Sequence, residues 1–339
     1  MVPTSGGLTQ ARQRLGSAPL VGLFGRLAVP VASELTRGAF MGSWRLMAID
    51  GFEWDVPDSV ANGERFGYRA GGGGVAALPK VRVVTVSECG SHAVVAAAVG
   101  SAGRGEQTVA RELLGGLQEG WLVLADRNFY GFADWNAARA GGAQLLWRVK
   151  SDLRLPVLRV LPDGSYLSVV IRAGVQGRFR RGDLHAAAAG DGDLDPAEAA
   201  RVRVIEYHVP DRAGGEDTGA GAGAGAGGGG EVIRLITTIL DPADADAATL
   251  AGTYHERWEH ETGNDQLKTH LRGPGRVLRS RSPDMVVQEI YGYLLTHHAI
   301  SALICRAATE ADIDPDRVRF LRTVRIVRRQ VTDPAAFSP

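Results

Sequence analysis

Length, composition and charge limit the class of protein before any motif is considered. The chain has 339 residues, more than the roughly 250–300 at which a single hydrophobic core stops growing, so we expect one elaborated domain or two domains. Apolar residues make up 45% and charged residues 22% of the chain, which excludes wholesale disorder. The 38 basic residues balance the 38 acidic ones, so the overall charge indicates neither a nucleic-acid nor a membrane partner.

Cysteine content and hydropathy exclude further classes. Two cysteines, Cys89 and Cys305, are too few for a disulfide framework or a structural zinc site, and they fit a reducing compartment. No apolar run approaches the roughly 18 residues that a membrane span needs, and the N-terminus lacks the pattern of a secretion signal. We therefore expect a soluble cytoplasmic protein without a membrane partner.

The order of the predicted elements indicates an α/β fold. Strands are predicted at 45–50, 81–86 and 94–99, followed by a helix at 105–118, a strand at 121–125, a helix at 132–140 and a strand at 144–149. This alternation predicts a mixed sheet with helices on its faces, in the order of a ribonuclease H-like core.

The second half of the chain divides into a β-rich part and a helical part. Residues 151–240 show strand-like patterns without strong helical periodicity and include a glycine- and alanine-rich loop at 214–230. A helix is predicted from Asp241, with Asp241 as the N-cap and Pro242 at the first helical position. Helical patterns continue through 284–308 and 316–330.

Two aspartates lie where chemistry is expected. Asp50 and Asp126 each come at the C-terminal end of a predicted strand, which is where open α/β sheets place ligands. Two carboxylates on neighbouring strands repel each other unless a cation lies between them, and Mg²⁺ takes such oxygen ligands. Both aspartates also stand in turn-prone sequences, Asp50-Gly51 and Asp-Arg-Asn at 126–128. Position alone leaves the metal site and the turn equally open.

A predicted helix at 246–271 favours the metal site. Four polar side chains on it fall within an arc of roughly 60° at about 100° per residue. The alternative to a functional site is a solvent-exposed charged face, on which Arg257 and Glu261 form an ion pair one turn apart. That alternative gives no reason for the hydroxyl of Tyr254 and the ammonium of Lys268 to lie on the same side of the helix. A carboxylate grouped with two cations suits a phosphodiester site. The four residues are Tyr254, Arg257, Glu261 and Lys268.

The same four residues carry a family resemblance. Their spacing resembles the Y-x2-R-x3-E-x6-K signature of DDE transposases of the insertion-sequence-four family. The resemblance runs from about residue 20 to 330. Other matching stretches are AIDG at 48–51, LADRNFYG at 124–131, WRVK at 147–150, LPDGSY at 161–166 and LRSRSP at 278–283.

The resemblance implies a fold with defined parts and a metal-dependent active site. A ribonuclease H-like core at 45–150 and 241–330 would be interrupted by the β-rich insertion at 151–240 and preceded by a remnant of an N-terminal helical region at 1–44. Asp50, Asp126 and Glu261 would be the catalytic, metal-binding triad for two Mg²⁺ ions, with Mn²⁺ as a substitute. Tyr254, Arg257 and Lys268 would contact DNA phosphates.

The function implied is DNA transposition, with cleavage at the ends of an insertion element and strand transfer into target DNA. The expected partner is double-stranded DNA, both the terminal inverted repeats and the target, bound by a dimer associated with the nucleoid. From Leu267 to Arg329, twelve basic residues face six acidic ones, a local net charge of +6 that suits phosphates.

Two other functions stay open at this point. One is a nuclease of the same fold that cuts DNA without strand transfer. The other is a truncated remnant that binds DNA or a full-length transposase and inhibits it, which the 49 residues before Asp50 suggest because family members usually carry a longer helical region there.

Overall fold

A mixed β-sheet is the main element of the fold. The computed structural model describes residues 4–71, 74–175, 177–190, 192–209, 231–273 and 277–331. The predicted loop at 214–230 lies outside these residues. The strands of the described part are β1 (Phe40–Met41), β2 (Trp44–Asp55), β3 (Tyr68–Gly71), β4 (Gly74–Glu88), β5 (Val94–Ser101), β6 (Trp121–Ala125), β7 (Gln144–Arg148), β8 (Arg159–Val160), β9 (Tyr166–Ile171), β10 (Ala199–Val209) and β11 (Glu231–Thr237).

The order of the strands places β2 and β6 side by side near the middle of the sheet. The order is β3-β4-β2-β6-β7-β11-β10-β9-β8, with β5 also paired to β4 and β1 to β2. β6 is parallel to β2 and β7, whereas β4 is antiparallel to β2 and β5. All five strands predicted for the core are present, but Asp50 does not end its strand. β2 continues to Asp55 because Phe52 and Trp54 extend the pattern of buried residues.

Helices cover both faces of this sheet. In the described part they are α1 (Ser5–Leu15), α2 (Ala18–Leu27), α3 (Val60–Phe66), α4 (Glu106–Leu114), α5 (Phe132–Arg139), α6 (Arg178–Ala189), α7 (Ala247–His255), α8 (Arg257–Asp265), the π-helical segment Gln266–Leu271, α9 (Pro283–Glu310), a 3₁₀ turn at Pro315–Arg317 and α10 (Phe320–Val331). Met47 and Ile49 of β2 pack in one hydrophobic cluster with residues of α4 and α5. On the opposite face, Ala48 packs with α7, and Phe52 packs with α9 and the π-helical segment.

The predicted insertion at 151–240 continues the same sheet. β11 pairs with β7 of the core, and β10, β9 and β8 follow outward. This part is β-rich, as predicted, and it also contains one helix, α6, that the sequence pattern did not indicate. α6 ends in four alanines, which are strong helix formers, and Leu184 and Ala188 one turn apart are buried against β9 and β10. The domain boundaries themselves stay predictions.

The helical region after the insertion begins later than predicted and is not one regular helix. α7 starts at Ala247, where the carboxylate of Asp246 accepts a hydrogen bond from the backbone N–H of Thr249 at 2.7 Å. Asp241 instead caps a short turn by accepting from the backbone N–H of Ala243 at 2.9 Å. The predicted helix at 246–271 breaks at Glu256 and becomes π-helical from Gln266. Among the described residues, no helix combines the length and apolar character needed to cross a membrane.

Candidate active site

Two neighbouring strands bring the predicted aspartates to the same level of the sheet, with Asp50 within β2 and Asp126 directly after β6. Ile49 of β2 pairs in parallel register with Ala125, the last residue of β6. The next residue of each chain segment is therefore an aspartate, and Asp50 and Asp126 come at the same level of the sheet. The backbone N–H of Arg127 donates a hydrogen bond of 2.7 Å to Oδ1 of Asp126. The sequence prediction that the two carboxylates come from neighbouring strands agrees with this register.

Asp50 lies beneath the helical region that the sequence linked to it. Nδ2 of Asn264, on α8, donates a hydrogen bond of 3.1 Å to Oδ2 of Asp50. Burial raises the pKa of Asp50, while the backbone N–H of Gly51, the charges of Arg257 and Lys268 and the Asn264 hydrogen bond lower it in part. The structure therefore brings two of the predicted phosphate-binding cations into electrostatic reach of the first predicted metal ligand.

Tyr254 connects α7 to the end of β6. Its side chain is only 3% exposed, and its hydroxyl donates a hydrogen bond of 3.4 Å to the carbonyl of Ala125, the residue before Asp126. The guanidinium carbon of Arg257 lies 5.8 Å from the centre of the Tyr254 ring, a cation–π distance. Burial, the largest cause, raises the pKa of Tyr254 well above its ordinary value. Tyr254 is thus placed to hold the strand end, and its contact with a DNA phosphate stays a prediction.

Lys268 reaches the site from a widened helical turn. It lies in the π-helical segment, and its Nζ is 5.8 Å from the centre of the Phe52 ring on β2. Single π-helical turns are frequent at functional sites because they redirect side chains. The 60° arc predicted for a regular helix is therefore not the actual geometry. α8 continues through Gly263 to Asp265, and the helix widens from Gln266 onward.

Glu261 lies on α8, between Arg257 and Asn264. Position 261 is one helical turn from each of these two residues, so all three positions share one side of the helix. Its side chain lies outside the described part of the structure, and its role as the third carboxylate of the triad stays a prediction.

Glu106 is a further carboxylate at this site that the sequence did not single out. It begins α4 and packs against Gly51, where an added Cβ atom would lie 2.3 Å from Oε1 of Glu106. Burial and the negative charge of Asp50 raise the pKa of Glu106, and the charge of Asp126 adds to this effect, against the opposing charge of Arg82. Acidic residues are common in the first turn of a helix, so the sequence carried no signal that distinguished Glu106.

Comparison with known proteins identifies the family. Residues 44–297, which include every predicted site residue, match the family described as "Transposase DDE domain". The chain belongs to the DDE transposase family. This confirms the resemblance found from the spacing of Tyr254, Arg257, Glu261 and Lys268, and it assigns a transposase function.

The chain is also similar to individual transposases. The chain is 25% identical over 333 residues to the transposase InsG for insertion sequence element IS4 of Escherichia coli K12, covering 97% of this DDE transposase and 68% of InsG. It is 30% identical over 124 residues to the putative transposase InsZ of the same organism, covering 36% and 42% of the two chains. A piggyBac transposase synaptic complex with hairpin DNA is similar with a TM-score of 0.43 and 10% identity, over 85% of this chain and 54% of the other.

The donor set of the site suits a hard divalent cation, the kind of metal that DDE transposases generally use. Asp50 and Asp126 come at the same level of the sheet, and the negative charges of both raise the pKa of Glu106. A cation would relieve that repulsion. The described residues contain no ready-made group of three histidine, cysteine, aspartate or glutamate side chains that could hold an ion. Glu261 as a third ligand stays a prediction, because its side chain lies outside the described part of the structure.

Proposed function

We propose that this transposase cleaves DNA at the ends of an insertion element and joins the freed strands to target DNA. The observation that carries the proposal is the parallel register of Ile49 with Ala125, which sets Asp50 beside Asp126, together with Arg257 and Lys268 acting on Asp50. Carboxylates for a metal and cations for phosphates are what phosphodiester chemistry requires.

We also propose that the core is ribonuclease H-like. The strand order β5-β4-β2-β6-β7, with β4 antiparallel to its neighbours β2 and β5 and the other strands joined in parallel, supports this assignment. α4 connects β5 to β6, and α5 connects β6 to β7. The proposed metal ligands are Asp50 on β2, Asp126 directly after β6, and Glu261 on α8.

In the proposed hydrolysis, the metal ions and the residues of the site have different roles. Two Mg²⁺ ions, or Mn²⁺ in their place, would neutralise charge at the scissile phosphate and activate a water molecule. In hydrolysis, the oxygen of a water molecule forms a bond to phosphorus while the bond from phosphorus to the 3′-oxygen breaks. A proton of the water passes to that oxygen, which leaves a 3′-hydroxyl and a 5′-phosphate. Asn264 holds Asp50 in one orientation, so that this carboxylate does not have to be ordered when DNA and metal arrive.

The cations of the site would position the DNA. Arg257 presents a planar guanidinium that can bind a phosphate bidentately, whereas Lys268 acts as a point charge. In the joining step the 3′-hydroxyl attacks a phosphodiester of the other strand or of target DNA, and the displaced 3′-oxygen leaves with a proton. Because both ends of an element are cut, a dimer on double-stranded DNA is the proposed assembly.

The test is incubation with Mg²⁺ and labelled DNA carrying the inverted repeats that flank the gene. We expect cut and joined products from the wild type and none from Asp50→Asn, Asp126→Asn or Glu261→Gln, with DNA binding retained. Asp183→Asn, an exposed carboxylate on α6, is the matched control and should behave as wild type. Cut ends without joined product would indicate a nuclease, and binding without cleavage would indicate an inhibitory remnant.

A further inference from the structure

The C-terminal part of the chain carries a row of exposed arginines, which we call the arginine segment. It covers residues 317–329. α10, which begins inside this segment and ends at Val331, contains no acidic residue. The members of the segment are Arg317, Arg319, Arg322, Arg325, Arg328 and Arg329, all exposed.

The arginines occupy the outer side of an anchored helix. Phe320 and Val324, one turn apart on α10, are 5% and 1% exposed and belong to a core cluster. Arg322, Arg325 and Arg329 recur at separations of three and four residues, which keeps them on one face within about 60°. The helix therefore presents a fixed row of positive charge to solvent.

The inner side of α10 packs on the segment that carries Lys268. Val324 shares its core cluster with Leu267 and Leu271 of the π-helical segment. The two elements are also linked through His297 of α9. One ring nitrogen of His297 lies 3.2 Å from Oε1 of Gln266, and its ring centre lies 5.2 Å from that of Phe320.

A second chain of contacts connects the start of the arginine segment to Asp50. Nε2 of His92 lies 2.6 Å from Oδ1 of Asp316, the residue before Arg317. A Cβ atom added at Gly263 of α8 would lie 3.6 Å from Cβ of the same histidine. Gly263 adjoins Asn264, which donates its hydrogen bond to Asp50. The segment thus begins a few side chains away from the proposed metal site.

The chemistry of the row fits the backbone of duplex DNA. Guanidinium groups bind phosphates bidentately, and a helix of 12 residues is about 18 Å long. Duplex DNA carries one charge per about 1.7 Å of its axis, so several phosphates lie within reach of one helix. A basic amphipathic helix can also lie on an anionic membrane, but Phe320 and Val324 of α10 are packed in the core and unavailable to lipid.

We propose that the arginine segment is a DNA-binding surface separate from the active site, and that it holds the duplex next to the scissile phosphate. This inference rests on the proposed function, because the ligand of the arginine segment would be the DNA on which the transposase acts. It adds a contact surface outside the signature residues and assigns it to the phosphate backbone, without base specificity.

The experiment compares two triple variants with equal charge loss. Arg319→Gln, Arg322→Gln and Arg325→Gln are combined in the test variant. Arg154→Gln, Arg159→Gln and Arg172→Gln, exposed arginines near the outer strands β8 and β9, are combined in the control. Binding to a labelled duplex of about 30 base pairs is followed by fluorescence anisotropy in EDTA from 50 to 300 mM salt, and circular dichroism checks the fold.

We expect the slope of log K against log salt to become less negative by about 2.7 in the test variant, because each of three lost phosphate contacts contributes about −0.9 to that slope. At about 0.15 M salt this corresponds to a loss of affinity of roughly a hundredfold, with the control near wild type. A folded test variant with the wild-type slope would overturn the inference, as would wild-type protein that binds anionic phosphatidylserine vesicles in preference to the duplex.

The inference and the proposed function can fail separately. A wild type that cuts and joins element ends, with an unchanged slope in the test variant, leaves the transposase proposal intact and removes the arginine segment from DNA binding. A slope that becomes less negative as expected in a protein that does not cut DNA supports the surface and contradicts the proposed catalysis.

Discussion

Asn264 of α8 donates a hydrogen bond of 3.1 Å to Asp50 of β2, although 214 positions separate the two residues in the chain. The amide is only 3% exposed, so water has little access to replace it. This bond fixes the helix that carries Arg257 and Glu261 against the strand that carries the first carboxylate. The bond therefore joins the strand and the helix that together carry the proposed site.

Replacement of Asn264 by alanine should weaken catalysis through the metal site. Loss of the donor leaves Asp50 free to rotate, and removal of such supporting groups typically costs 10- to 100-fold in metal affinity or activity. We expect cleavage to fall by about that factor and to recover partly at higher Mg²⁺, with unchanged DNA binding in EDTA. Asn136→Ala removes an amide that donates to the carbonyl of Pro196 at 2.9 Å and is the control. Equal cleavage activity of Asn264→Ala and Asn136→Ala would contradict the role of Asn264 in holding Asp50.

A side chain at position 51 is expected to destabilise the protein as long as Glu106 occupies its present place. A Cβ atom at Gly51 would lie 2.3 Å from Oε1 of Glu106, and such overpacking typically costs about 1–3 kcal/mol. Gly51→Ala should therefore lower the free energy of unfolding by this amount, and Gly51→Ala combined with Glu106→Ala should recover most of the loss. Urea unfolding in a double-mutant cycle measures the coupling. Additive effects would show that the two residues do not meet.

The matched control for this cycle is Gly115→Ala. Gly115 ends α4 with a helical backbone conformation, and no atom lies within 4 Å of an added Cβ. We expect its stability to stay within about 0.5 kcal/mol of wild type, the range of ordinary surface substitutions.

The acid sensitivity of the fold should depend on Asp163. Its carboxylate pairs with Arg203, which is 0% exposed, and accepts the backbone N–H of Ala247 at 2.7 Å, so it anchors the start of α7. Burial alone would raise the pKa of Asp163, but hydrogen bonds from Ser165 and Ala247 and the charge of Arg203 lower it overall. The folded state then releases this proton more readily than the unfolded state does. The resulting stability is present above the ordinary value of 3.8 and is lost as the pH falls through the lowered folded-state value.

Asp163→Asn should destabilise the protein by on the order of 3–5 kcal/mol at pH 7, because Arg203 stays buried without its carboxylate. The difference from wild type should shrink as the pH falls below about 3.8, where the wild type also becomes protonated. Urea unfolding at several pH values measures it, with Asp152→Asn at an exposed position as the control. If the difference in free energy of unfolding between Asp163→Asn and wild type grew as the pH fell, the proposed role of the ionised Asp163 would be wrong.

Gly263→Ala should stabilise the protein without loss of activity. Gly263 lies inside α8, and an added Cβ would come no closer than 3.6 Å to His92, an ordinary contact distance. Alanine is up to about 1 kcal/mol more favourable than glycine in a helix interior. We expect a higher midpoint of thermal unfolding and normal end cleavage. Gly142→Ala is the opposing control, since its φ of +85° strains any other residue, and a destabilised Gly263→Ala would indicate tighter packing on His92 than the distances give.

The sequence by itself determined the local elements and the family. Runs rich in β-branched residues identified β4 and β5, and an apolar run identified β6. The spacing from Tyr254 to Lys268 indicated the transposase family, which the family match confirmed. Such patterns can be read directly because they depend on residues within one or two turns or strand repeats of each other.

The tertiary structure decided the environment of each site residue. It placed Asp50 within β2 instead of at its end, capped α7 with Asp246 instead of Asp241, and brought Asn264 and Glu106 to Asp50 and Gly51. Aspartate, asparagine and glutamate are common at turns, caps and helix starts throughout sequences, so their local pattern does not distinguish a structural role from a catalytic one. Which of them faces the active site depends on how strands and helices distant in sequence pack together, because only that packing brings a carboxylate, its hydrogen-bond donor and its opposing charges within a few ångströms.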